Sequence, residues 1–146
     1  MTTAANISVQ RCPELVNLNF DRMTSATGIL LDTTNADLSG FDALTTITND
    51  LVLVRTRTAR NLAGFASLTS MDSLVITDNP ALMDLGLTAL TTLVGSRSEI
   101  SRNPMLPTCQ AEALRDRLAR PIEINSNNDA GTCLVGLRSA PNRSPE

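Results

Sequence analysis

The sequence predicts an α/β repeat solenoid, mostly β, with one short parallel strand in each rung of 22–24 residues and a capping helix near the C-terminal end. Three observations predict this fold class. Strand-like triplets recur at a nearly constant spacing, apolar residues at steps of about three follow the triplets, and a small hydrogen-bonding residue stands at the same place after every triplet. We therefore expect one solenoid domain over residues 1–133, built of about six rungs.

The six triplets supply the strands, and five of them begin and end with an apolar residue. Their last residues are 22, 22, 23, 24 and 24 residues apart along the chain. Because side chains alternate along a strand, the first and third residues should face the core and the middle residue should face outward. The triplets are Ile7–Val9, Ile29–Leu31, Leu51–Leu53, Leu74–Ile76, Ser98–Ile100 and Ile122–Ile124.

A column of small polar residues supports this register. Each stands three residues after the last residue of a triplet, where a buried turn needs hydrogen-bond partners for its backbone groups. The pattern indicates a structural ladder, and a ligand site is the alternative. The six residues are Cys12, Thr34, Thr56, Asn79, Asn103 and Asn127.

The pattern L-x-I-x-x-N-P-x-L-x-x-L over Leu74–Leu85, with spaced leucines after it, resembles leucine-rich-repeat solenoids. It is most similar to the receptor L-domain group, in particular to bacterial cell-surface proteins with such coils. The segment from Asn103 to Cys133 resembles their closing segment, and the similarity covers roughly residues 7–133. The second and third units lack the Asn-Pro pair. The resemblance implies a right-handed solenoid used for binding or as a surface scaffold, and it carries no catalytic residues.

Composition excludes several kinds of chemistry. The chain has no His, Trp or Tyr, and all 12 of its basic residues are Arg. A Ser-His-Asp triad, a His-ligated metal and a Schiff-base lysine are therefore ruled out. The net charge of -3 and the scarcity of aromatic residues also argue against a nucleic-acid partner. We expect no catalytic residue, no cofactor and no metal, and so not an enzyme.

The cysteines indicate the cellular compartment in which the protein is expected. Cys109 lies nine residues after Ile100, and Cys133 lies nine after Ile124, so the two should stand about one rung apart, within disulfide range. A structural disulfide implies an oxidising compartment, hence an extracellular or cell-envelope location. Cys12 is expected to be a buried free thiol. The first residues show no signal peptide, and no stretch reaches the ~18 apolar residues of a transmembrane segment.

The C-terminal end is predicted to carry a capping helix over residues 109–119. Thr108 is the expected N-cap, Pro121 follows the end, and one face is apolar through Ala111, Leu114 and Leu118. Residues 134–146 are rich in turn formers and are expected to be a tail or linker.

The outward middle positions contain an unusual apolar strip, which consists of Leu30, Val52, Val54 and Val75. Such a strip on a surface that should be polar predicts an interaction face. We expect a partner, a second copy of the chain, or the tail to cover it. The tail residues suited to this are Leu134, Val135 and Leu137.

Two further clusters of charged residues suggest specific binding or catalytic sites. Arg55, Arg57 and Arg102 are candidates for contact with an anion or an acidic sugar; the alternative is a surface charge ladder through Asp78. Glu99 and Glu123 are outward carboxylates one rung apart, about 5 Å, a spacing compatible with a retaining glycosidase.

We therefore expect a non-catalytic extracellular binding or scaffold module that presents its sheet face to a protein or glycan. The first alternative is a structural protein that associates with itself through the strip. The second is a glycan-acting enzyme, which the lack of an aromatic sugar platform disfavours.

Overall fold

The strands of this protein run parallel and belong to one sheet. The computed structural model describes residues 2–35, 38–131 and 133. In this part of the chain nine strands pair in the order β7-β5-β3-β2-β4-β6-β8-β9, and β1 pairs with β2 as well. The expected composition, mostly β with one α-helix, is confirmed. The strands are β1 (Thr2–Cys12), β2 (Met23–Thr34), β3 (Thr46–Ile47), β4 (Asp50–Val54), β5 (Ser70–Met71), β6 (Ser73–Thr77), β7 (Thr92–Leu93), β8 (Ser98–Ser101) and β9 (Ile122–Asn125).

The predicted register of the six triplets is confirmed. Their third residues pair in sequence along the sheet, from Val9 through Leu31, Leu53, Ile76 and Ile100 to Ile124. The four middle residues of this column are at most 1% exposed. Val9 and Ile124 are only partly buried, contrary to the expectation of a fully buried column. They lie on the two outermost strands, where neighbours cover one side only.

The first two strands are longer than the triplets predicted, because β2 takes part in two stretches of the sheet. Ser25 and Ala26 pair with Thr46 and Ile47 of β3, whereas the residues from Ile29 onward pair with β4. β1 follows β2 over almost its whole length. The short strands β3, β5 and β7 therefore form a second ladder beside the main one.

The three phenylalanines of the chain form one stack, with Phe41 and Phe65 in the core and Phe20 partly buried against it. The ring centroids of Phe20 and Phe41 are 5.3 Å apart, and those of Phe41 and Phe65 are 4.8 Å apart. Phe41 and Phe65 end two 3₁₀ turns, Leu38–Phe41 and Ala63–Phe65, and both side chains are fully buried. The apolar residues spaced at steps of three thus point inward, as their pattern predicted.

The one α-helix among the described residues, α1 (Thr108–Leu118), packs Ala111, Leu114 and Leu118 into the core, as predicted. The predicted cap is wrong. Thr108 is the first helical residue, and its hydroxyl donates to Oδ1 of Asp129. The hydroxyl is therefore engaged with the following segment and leaves the helix start without a side-chain cap. The helix ends at Leu118 and is followed by Ala119 as the C-cap, whose φ is 53°.

Two arginines join α1 and the residues after it to the loops before β8. The guanidinium of Arg117 donates to the carbonyl oxygens of Leu87 and Leu90, and that of Arg120 donates to the carbonyl oxygens of Val94 and Gly95. These bonds give each of the four backbone carbonyls a side-chain donor, and the Leu87 carbonyl also accepts from the backbone N–H of Leu90. No helix within the described ranges has both the length and the apolar character needed to cross a membrane. The predicted tail, 134–146, lies outside the described residues.

Candidate functional site: the outward face of the sheet

The middle residues of the triplets form one column on the outward face. Neighbouring strands pair Ser8 with Leu30, Leu30 with Val52, Val52 with Val75, Val75 with Glu99, and Glu99 with Glu123. We call this set the outward column. The sequence-predicted apolar strip of Leu30, Val52 and Val75 is therefore continuous, and Val54 lies beside it, paired with Asp32 and Thr77.

The apolar strip is half-buried, whereas the two ends of the outward column are exposed. Leu30, Val52, Val54 and Val75 are of intermediate exposure, while Ser8 and Glu123 are exposed. Side chains on one face of adjacent strands stand about 5 Å apart, so that branched aliphatic residues cover one another in part. The strip still presents apolar surface to the outside. Leu134, Val135 and Leu137, which we expected as one possible cover, lie outside the described residues.

Carboxylates border the strip. Asp50 is exposed at the start of β4, and Asp32 forms an ion pair with Arg55 at 2.7 Å. Glu99 accepts a hydrogen bond from the hydroxyl of Ser101 and lies 3.7 Å from the guanidinium of Arg102. The face is therefore aliphatic at its centre and bordered by charged residues, two of which are carboxylates beside arginines.

A shallow cleft of ≈ 540 Å³ opens at the acidic end of the outward column. It is lined by Val75, Glu99 and Glu123 from the sheet and by Arg97 and Arg115 from outside it. The register places Glu99 and Glu123 opposite each other, as the sequence predicted. Glu123 makes no ion pair with any other described residue, and the cleft contains no aromatic side chain from that part of the chain.

One residue at the carboxyl end of each triplet strand of the main ladder, two positions after the last triplet residue, has a left-handed backbone, and none of the six is glycine. Their φ angles lie between 54° and 59°. Such a backbone costs an L-residue about 1–2 kcal/mol, so the neighbouring contacts must hold it in place. The residues are Arg11, Thr33, Arg55, Asp78, Arg102 and Ser126.

Two of the three arginines proposed as anion contacts already have carboxylate partners. Arg102 donates twice to Asp78, at 3.0 and 3.1 Å, and this hydrogen bonding lowers the pKa of the Asp78 carboxyl. Arg55 binds Asp32 and donates to the Thr33 hydroxyl. Arg57 is exposed. The contact of these arginines with an anion stays a prediction. The two ion pairs that form are of the kind expected for a surface charge ladder.

The predicted polar ladder is present in the buried turns. Oδ1 of Asn103 accepts hydrogen bonds from both the backbone N–H and the side-chain amide of Asn79, and Oδ1 of Asn127 accepts the same two bonds from Asn103. Asn79 likewise accepts from the backbone N–H and hydroxyl of Thr56. Each amide also donates to a strand carbonyl, for example Asn103 to Ile76 at 3.0 Å. The ladder supports the turns beside the face.

The predicted disulfide between Cys109 and Cys133 is confirmed, with the two Cα atoms 6.2 Å apart. It borders a groove of ≈ 670 Å³ between α1 and the loop from Met83 to Thr88. The prediction for Cys12 is wrong in one respect. Cys12 is a free thiol, but it is exposed, because β1 has no described strand on its far side to cover it.

Sequence reasoning missed Arg97 and Arg115 as neighbours of the two glutamates. Arg115 comes from α1, and only the packing of the helix against β9 brings it to the cleft. The spacing of triplets contains no signal for this contact. Asp50 could have been found, since it precedes the first triplet residue of β4 and therefore faces outward by alternation.

Comparisons of this chain with protein-family models, with curated proteins and with solved structures gave no match.

Proposed function

We propose that this chain is a leucine-rich-repeat-like, right-handed solenoid of the receptor L-domain type. In this proposal it acts as a non-catalytic binding or scaffold module that presents the outward face of its sheet to a protein or glycan partner. The nearly constant spacing of the paired triplets, the asparagine ladder and the recurring left-handed residue after each triplet support the solenoid. Each strand would then belong to one turn of the coil.

The proposed binding role rests on one observation. The half-buried apolar strip lies at the centre of a face whose edges are charged. An apolar core with a polar rim is the usual anatomy of a protein interface. Monomeric proteins seldom leave contiguous aliphatic patches open to water. The strip is aliphatic and lacks aromatic side chains, which favours a protein over a glycan as its partner.

The location we propose is extracellular or in the cell envelope. The disulfide between Cys109 and Cys133 supports it, because such bonds persist in oxidising compartments and are rare in the cytosol.

The purified chain should be tested on protein and glycan arrays beside a Val52→Glu/Val75→Glu variant. The matched control is Val16→Glu/Val94→Glu, which places the same charges at positions that are 60% and 62% exposed and outside the outward column. We expect binding by the wild type and the control and loss of binding in the face variant. Because Val75→Glu sets a carboxylate opposite Glu99, a Val52→Thr/Val75→Thr variant with the same branched shape should be measured too. Equal binding by all four proteins would contradict the proposal.

A glycan-acting enzyme is the second candidate, and the opposed Glu99 and Glu123 in the cleft favour it. It predicts release of reducing ends from an oligosaccharide and loss of that activity in Glu99→Gln and in Glu123→Gln. The non-catalytic proposal predicts no release by any of the three proteins.

A further inference from the structure

The groove beside the disulfide is lined mainly by apolar side chains. It has a volume of ≈ 670 Å³ and lies between α1 and the loop that starts at Met83. Met83, Leu85 and Leu87 line it from the loop, and Ala113 and Leu114 line it from the helix. Met83 and Ala113 are exposed, so apolar surface is open to the solvent here. None of the described lining residues belongs to the outward column, so this groove is separate from the site on the sheet.

Two polar side chains of the groove already bond to backbone groups nearby. Oε1 of Gln110 accepts a hydrogen bond from the backbone N–H of Leu85 at 2.9 Å, and its amide donates to the carbonyl oxygen of Met83 at 3.3 Å. The guanidinium of Arg117 donates to two backbone carbonyl oxygens. Asp84 also lines the groove, is exposed, and makes no ion pair with another described residue. The groove is therefore suited to an aliphatic segment that carries a cation where Asp84 lies.

The disulfide brings a segment of this kind to the groove. Cys109 and Cys133 both line it, and their bond fixes the start of residues 134–146 beside it. Those residues lie outside the described part of the chain, and their sequence begins Leu-Val-Gly-Leu-Arg. Three of the first four are apolar, and the fifth is a cation. The chain thus carries next to the groove an occupant with the chemistry that the groove suits.

The segment is long enough to fill the groove. Four extended residues reach about 13 Å, whereas a compact space of ≈ 670 Å³ is about 11 Å across. Leu137 can therefore reach the wall opposite Cys133. Because the segment is covalently attached, its effective concentration at the groove is on the order of millimolar, which favours it over a free partner.

We propose that residues 134–138 lie in this groove, with Val135 and Leu137 packed between the loop and α1 and with Arg138 beside Asp84. Val135 and Leu137 are two positions apart, so their side chains point to the same side of an extended segment. Because the groove and the outward column share no residue, this placement does not depend on the proposed function. It leaves the apolar strip on the sheet to an outside partner.

Methyl NMR of the full, oxidised chain tests this placement directly. With the methyl groups of Ala, Leu, Met and Val labelled, we expect nuclear Overhauser effects from Val135 and Leu137 to Met83 and Ala113. Effects from Val135 and Leu137 to the apolar strip would place the segment on the sheet and overturn the proposal. The absence of any effect between the segment and the groove would overturn it as well.

Hydrogen exchange gives a second, quantitative measurement. After correction for intrinsic rates, the amides of residues 134–138 should exchange at least about tenfold more slowly than those of residues 140–146. Val135→Ser/Leu137→Ser should abolish this protection and lower the melting temperature by about 4 °C or more. The matched control, Ala140→Ser/Pro145→Ser, should change neither quantity. Equal exchange in the two segments, or equal behaviour of the two variants, would contradict the placement.

A charge exchange tests the contact between Arg138 and Asp84. Arg138→Asp and Asp84→Arg should each speed the exchange of residues 134–138 by about threefold, because each removes an opposite charge and introduces a like one. The variant that combines both changes should return to the wild-type rate. A combined variant that exchanges no more slowly than the single variants would refute the position given to Arg138.

Discussion

Asn103 offers the sharpest test of how the turns beside the sheet are held. Its side chain is fully buried and makes four hydrogen bonds: two accepted from Asn79, one donated to the carbonyl of Ile76 and one donated to Asn127. Asn103→Leu keeps the volume but removes all four bonds and leaves the buried backbone N–H of Asn79 without its acceptor, while Oδ1 of Asn127 keeps the bond from the Asn103 backbone N–H. At about 1 kcal/mol for each lost bond, the free energy of unfolding should fall by about 4 kcal/mol. That is a large share of the 5–15 kcal/mol typical of a domain.

Urea denaturation followed by circular dichroism measures this loss. Asn19→Leu is the matched control, because Asn19 is exposed, and we expect a change within about 0.5 kcal/mol. If Asn103→Leu does not fold at all, Asn127→Ala gives a measurable variant, since Asn127 is only half-buried and ends the ladder. We expect Asn127→Ala to cost about 1–3 kcal/mol. A loss below about 1 kcal/mol in Asn103→Leu would refute the ladder as a source of stability.

Three further predictions address the register, the cysteines and the charged turns. Leu53→Asp places an unpaired charge at a position 1% exposed and should abolish the melting transition, because such burial costs several kcal/mol; a retained transition contradicts the register. Mass spectrometry of a non-reduced digest should detect a peptide pair linked by Cys109 and Cys133 and should find Cys12 as a free, titratable thiol. A disulfide that involves Cys12 would contradict this pairing. Hydrogen bonding to Arg102 lowers the pKa of Asp78 in the folded state. The ionised Asp78 side chain therefore adds to the free energy of unfolding above its unfolded pKa, near 3.8, and this stabilisation is lost as the pH falls through the folded pKa. Asp78→Asn should therefore reduce the loss of stability in acid, measured as unfolding free energy between about pH 5 and pH 2, and an unchanged acid profile would contradict this contribution.

The features that repeat along the chain could be predicted from the sequence. Alternation within a triplet fixed which side chains face inward, and the 22–24-residue spacing fixed which strands pair. The disulfide followed from the same spacing, because both cysteines stand nine residues after paired strand residues. The outward column, with its apolar strip and its two glutamates, followed as a consequence of the register.

Contacts that do not repeat along the chain, such as those between the helix and a strand, could be seen only in the tertiary structure. Arg115 reaches the glutamate cleft because α1 packs against β9, and Thr108 bonds Asp129 instead of capping its own helix. The left-handed residues after the triplets were not predicted, because none of them is glycine, the residue that usually marks this conformation in a sequence. Cys12 occupies the same position as the buried asparagines, yet it is exposed because its strand lies at the edge of the sheet. A periodic pattern in the sequence shows the features that successive strands share. The surroundings of an edge strand or of the helix instead depend on which segments pack against it in three dimensions.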